Sequence, residues 1–173
     1  PCINQDVTER SRQGLVPDFM VKLRTGETRK LMELKCINQC KTFYPQTRTA
    51  PDRRCSGVEK RAATIHKEYV KKARDADAKY NRHDPSGGPG PVGRRLEEFG
   101  QIKALVTGPR AECSADLHSL VSSVADTAAE RSWRRVGARN PKEAKAIISD
   151  RFFRTIGLNA IRENAAQMRF ALG

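Results

Sequence analysis

The chain has 173 residues, which suits one hydrophobic core, and 38% of them are hydrophobic, an ordinary share for a globular protein. Its formal net charge of +13 points to polyanionic partners, nucleic acids first and anionic membranes second. No apolar run is long enough to span a bilayer and no signal peptide opens the chain, so an intracellular protein, nuclear or cytoplasmic, is expected, with no membrane partner.

Five cysteines, an odd number thinly spread, do not resemble a secreted disulfide framework. Aromatic residues are only 6%, which weakens any single-strand binding built on rows of stacking rings.

Residues 1–13 are polar and weakly patterned. Residues 14–37 hold two runs rich in Val, Leu, Ile, Met and Phe on either side of Thr25-Gly26, a β-hairpin signal. Residues 38–56 form a polar connection with Pro45 and Pro51. Ser56, with Glu59 three residues on, predicts a capped helix. Val58, Ala62, Ile65, Tyr69, Ala73, Ala76 and Tyr80 recur at helical spacing and predict its buried face.

Residues 84–92 (DPSGGPGPV) read as a loop, followed by a short helix with Leu96 and Phe99 as apolar contacts. Residues 101–107 read as a buried strand. Ser114 is expected to cap a helix carrying Leu117, Leu120, Val121, Val124 and Ala128. Asn140, Pro141 and Glu143 open a further helix, which Gly157 is expected to break. Strands followed by helices in this order give an α/β or α+β class.

The hairpin carries the candidate chemistry. With the turn centred on Thr25-Gly26, Leu23 faces Thr28 and Asp18 faces Glu33. Directly opposed residues share a face of the ladder. Lys35, two residues beyond Glu33, shares that face too. Leu34 and Cys36 take the other face with Phe19, Val21 and Leu23, as an expected apolar backing. Two adjacent carboxylates repel unless a cation lies between them, and oxygen-only donors suit Mg²⁺ or Mn²⁺. Such an ion and an ammonium beside it both have tasks in phosphodiester hydrolysis.

Pro17-Asp18, followed after fourteen residues by Glu33-Leu34-Lys35, resembles the signature of the PD-(D/E)XK, or restriction-endonuclease-like, nucleases. These include the endonuclease domains of site-specific non-LTR retroelements. The resemblance covers roughly residues 14–107. It implies an αβββαβ core with Asp18 on the second strand and Glu33-Leu34-Lys35 on the third. Asp18, Glu33 and the backbone carbonyl of Leu34 would be metal ligands, and Lys35 the catalytic lysine. Only seventeen residues precede Asp18, so the front of that core is expected to be short or missing, with Glu9 as the nearby glutamate for an additional carboxylate.

The expected organisation is a nuclease core over 1–110 and a helical extension over 111–173, acting on DNA, or on RNA, as part of a larger polypeptide or as a homodimer. Lys60, Lys67 and Lys71 form a basic edge suited to a phosphate backbone beside the site. The alternatives are a basic nucleic-acid-binding module without catalysis and an interaction domain for an acidic partner. Cys36, Cys40 and Cys55, with Cys2 or His66, do not have the spacing of a tight zinc pair, and Cys36 is expected in the core. His66, His83 and His118 are isolated and take no assigned role. Trp133, among Arg131, Arg134 and Arg135, suits either a nucleic-acid contact or a helix anchor.

Overall fold

The computed structural model describes residues 17–22, 29–37, 51–79 and 87–172. The element order is β1 (Phe19–Val21), β2 (Lys30–Cys36), α1 (Pro51–Lys79), α2 (Pro91–Phe99), β3 (Lys103–Thr107), α3 (Ala115–Ser132) and α4 (Pro141–Leu172). Among the described residues this is a mixed α/β architecture with one three-stranded sheet, ordered β1-β2-β3, and four helices. No helix among them is long and apolar enough to cross a membrane. The Thr25-Gly26 turn, residues 1–13 with Glu9, Cys2, Cys40, Tyr80, His83 and the side chain of Cys55 lie outside the described residues.

The chain divides into two compact units, Pro1–Leu34 with Ala62–Ala104, and Lys35–Arg61 with Leu105–Gly173. The boundaries fall inside β2, α1 and β3.

In the first unit, β1 and β2 pair antiparallel, with Phe19 opposite Met32, Met20 opposite Leu31 and Val21 opposite Lys30. Buried residues include Leu31, Met32, Ile65, Tyr69, Ala73 and Leu96. The helical spacing of Ile65, Tyr69 and Ala73 therefore marks the covered face of α1, as expected. Helix α2 begins with Pro91 in its first turn, where a missing N–H costs least. Its N-cap, Gly90, has no side chain to offer. The carboxylate of Asp77, reaching from α1, accepts the N–H groups of Val92 (3.0 Å) and Gly93 (2.9 Å) instead. A Cβ on Gly93 would stand 2.8 Å from the Pro89 Cβ, too close for any side chain without a shift, and 3.4 Å from Asp77 Oδ2, so the close approach of Pro89 calls for glycine here. The expected loop over 84–92 thus gives way to helix at Pro91.

In the second unit, Ser114 is fully buried, and its Oγ accepts the N–H of Val106 at 3.0 Å and of Leu117 at 3.4 Å. One hydroxyl serves both β3 and the start of α3, as the cap signal predicted. Asn140 Oδ1 accepts Glu143 N–H at 2.9 Å, and Glu143 Oε2 accepts Arg139 N–H at 2.7 Å. Helices α3 and α4 pack on each other, with Ala129, Ala138 and Ala144 buried under Trp133, Val136, Ile147 and Ile148.

Two helix boundaries differ from expectation. Helix α1 starts at Pro51, not Ser56, and Glu59 accepts Ala115 N–H at 2.8 Å rather than closing a capping box. Pro51 is itself a first-turn signal. Helix α4 runs through Gly157 without a break. An interior glycine weakens a helix by about 1 kcal/mol relative to alanine, which packing against α3 outweighs.

Candidate functional site

Continuing the β1–β2 register by one pair sets Asp18 opposite Glu33. Asp18 is exposed at the mouth of the hairpin, and its Oδ2 accepts the N–H of Leu34 at 2.8 Å. In an extended strand a residue's N–H and C=O open on the same edge, so the Leu34 carbonyl opens on the edge where Asp18 stands. Glu33 is only 7% exposed, and its Oε2 accepts the Tyr69 hydroxyl of α1 at 2.6 Å. Lys35 stands two residues further along β2, partly buried, on the face that strand alternation gives Glu33.

Tyr69 is the residue that the sequence reading missed as part of this site. It was counted only as one apolar position in a helical stripe. A buried tyrosine needs a partner for its hydroxyl, and a buried glutamate needs a donor, so each was a signal for the other. Burial foremost, then the hydrogen bond to Glu33 and the charges of Glu33 and Asp18, hold the Tyr69 phenol well above its ordinary range. It stays a proton donor to Glu33 throughout neutral and mildly alkaline conditions. The Lys72 ammonium lies 5.4 Å from the centre of the Tyr69 ring.

The raised phenol has a measurable sign. Its contribution to stability is intact below the ordinary tyrosine range near pH 10 and is lost as pH rises beyond it, because the unfolded chain ionises first. In an absorbance titration of the folded protein, Tyr69→Phe should leave unchanged the number of phenols ionising near pH 10. Loss of one phenol from that transition would contradict the buried hydrogen bond.

The faces of the hairpin differ from expectation. Phe19 (46% exposed) and Leu34 (40%) are open, and Cys36 is exposed, its Sγ accepting the Thr107 hydroxyl at 3.2 Å. Of the residues expected as apolar backing, Phe19, Leu34 and Cys36 are exposed, Val21 is half-buried and Leu23 lies outside the described residues, while Met32 on the same face is buried. Glu33 and Leu31, on the opposite face, are buried as well. Hydrophobic alternation alone cannot say which face a helix covers, and Tyr69 selects the carboxylate face here.

No protein-family model, curated protein or solved structure matches this chain.

Among the described residues, no three or more His, Cys, Asp or Glu side chains gather as a metal-binding group. The carboxylates available are therefore the pair Asp18 and Glu33. Asp18 accepts the Leu34 N–H through Oδ2, and Glu33 accepts the Tyr69 hydroxyl through Oε2. Carboxylate oxygens are the donors that Mg²⁺ accepts, and that ion keeps several waters of its own.

Lys60, Lys67 and Lys71 are all exposed. At about 100° per residue they fall on the side of α1 roughly opposite Tyr69, so they do not stand beside the carboxylates as expected. His66 Nδ1 accepts Ile102 N–H at 3.2 Å, which gives it a structural task. Trp133 anchors the small core over α3 and α4, with the Arg134 guanidinium 4.9 Å from its ring centre.

Proposed function

We propose that this protein is a metal-dependent endonuclease that hydrolyses DNA phosphodiester bonds, built on a restriction-endonuclease-like core. The observation that carries the reading is the register of β1 on β2, which opposes Asp18 and Glu33 one pair beyond Phe19 and Met32. The strand–strand–helix order before β3 supports it, with α2 as an addition between α1 and β3.

In this reading Asp18, Glu33 and the Leu34 carbonyl hold Mg²⁺ or Mn²⁺. Bound there, the ion supplies positive charge to offset that developing on the phosphate. Lys35 donates to a non-bridging phosphate oxygen or orients the attacking water. Tyr69 fixes the Glu33 rotamer through its hydroxyl, and the covered side of the sheet restricts water around that carboxylate. The stripe of Lys60, Lys67 and Lys71 attracts the polyanion on the outer side of α1, by charge and without sequence preference.

The test is cleavage of supercoiled plasmid and of short duplexes. Wild type should nick DNA with Mg²⁺ or Mn²⁺ and stop with a chelator, and Lys35→Ala should be slower by about a hundredfold or more. Equal cleavage by wild type and Lys35→Ala would remove the basis of the assignment.

A second reading, a nucleic-acid-binding module without catalysis, has its own support. Asp18 and Glu33 each already serve a local donor, Leu34 N–H and Tyr69 O–H, which is a structural use for both. Salt-sensitive DNA binding without cleavage under any divalent ion would favour it.

A further inference from the structure

The first unit holds a cavity of about 520 Å³ between α1, the 87–90 segment and α2. Beside it is a smaller hollow of about 300 Å³. The two share His66, Val70 and Arg74 as walls. Volumes of this size are those of small-molecule sites. Neither contains Asp18, Glu33 or Lys35.

The two hollows differ in chemistry. Lys67, Lys71 and Arg74 line the smaller one, against a single acid, Asp75. That end suits an anion, and Arg74 has the planar fork that matches phosphate. The larger one is walled by Val70 and Leu96 and, at Gly87, Gly88 and Gly90, by backbone without side chains. Asp77 borders this larger cavity, its carboxylate held by the amides of Val92 and Gly93, and does not line the cationic hollow. His66 adds a defined polar group. Its Nδ1 accepts a backbone N–H, so in the neutral ring the proton sits on Nε2, which makes that nitrogen a donor. Gln101 and Glu97 add an amide and an acceptor at the rim.

We propose that this bipartite groove binds a nucleoside phosphate, the phosphate at Lys67, Lys71 and Arg74 and the nucleoside in the larger cavity. The apolar walls take the faces of the base. His66, Gln101 and Glu97 supply donors and an acceptor for its edge. The ligand is one nucleotide unit, either free or extruded from a strand, because the described walls of the groove offer no row of aromatic platforms for successive bases. Binding here does not depend on the carboxylate site and needs no divalent ion.

The experiment is fluorescence anisotropy with a labelled single-stranded oligonucleotide and a labelled adenosine monophosphate, in the presence of a chelator. Unlabelled adenosine monophosphate and inorganic phosphate serve as competitors. Wild type should bind, the nucleotide should compete far better than phosphate, and Arg74→Glu should weaken binding about tenfold or more. Lys71→Ala should weaken it in the same direction. Arg162→Glu, the same charge change on α4, should change affinity less than about twofold. Tighter binding of the oligonucleotide assigns the site to a strand and equal binding to a free nucleotide, and both uphold it. Three results would overturn it: equal weakening by Arg74→Glu and Arg162→Glu, competition by phosphate as strong as by nucleotide, or no binding. Cleavage without such binding would overturn this groove and leave the nuclease reading intact. Binding without cleavage would do the reverse.

Discussion

Asp77→Ala is expected to destabilise the protein by about 3 kcal/mol, since each orphaned buried donor costs roughly 1–3 kcal/mol. Asp77 is 3% exposed and accepts two N–H groups in the first turn of α2. Gly90 carries no side chain that could replace it. Removing the carboxylate therefore leaves Val92 and Gly93 without their acceptor and weakens the favourable charge at the positive end of the helix. Asp77→Asn retains one acceptor oxygen and should lose about half as much. Urea unfolding of the three proteins measures the series. A loss below about 1 kcal/mol in Asp77→Ala would mean that solvent replaces the carboxylate.

Asp18→Asn should lower the rate of DNA cleavage by about a hundredfold while leaving the fold unchanged. The amide oxygen of asparagine can still accept Leu34 N–H, so the end of the β1–β2 ladder is retained. What disappears is the negative charge that a divalent cation needs. Asp18→Ala removes both, and should add a loss of about 1 kcal/mol in stability to the loss of cleavage. The pair separates a structural carboxylate from one that handles charge. If Asn cleaves like wild type and only Ala is impaired, Asp18 is a ladder end and nothing more.

The hairpin register was legible because it depends only on counting from a turn. Thr25-Gly26 as the centre gives the same partners that the strands adopt at Phe19–Met32 and Val21–Lys30. The caps at Ser114 and Asn140 were legible because each is a local bond between neighbouring residues. That α1 would cover the Glu33 face was not, since the contact belongs to a helix more than thirty positions away. The capping role of Asp77 was hidden for the same reason, sixteen residues from Gly93. Gly157 misled because a residue's preference is weak against the packing of a whole helix. The pairing of Tyr69 with Glu33 needed two separate deductions to be joined, a phenol seeking an acceptor and a carboxylate seeking a donor.

Helix α1 turns Tyr69 toward Glu33 and Lys60, Lys67 and Lys71 the other way, which in the proposed nuclease would make capture and cutting separately heritable. In that nuclease a single change at Glu33 would silence hydrolysis and leave Lys67 and Lys71 as they are. The reverse change, a loss of lysines, leaves the carboxylates in place but starves them of substrate. On the proposed reading an enzyme and a pure binder would then be one substitution apart on the same scaffold, and a lineage could cross between them without passing through an unfolded chain.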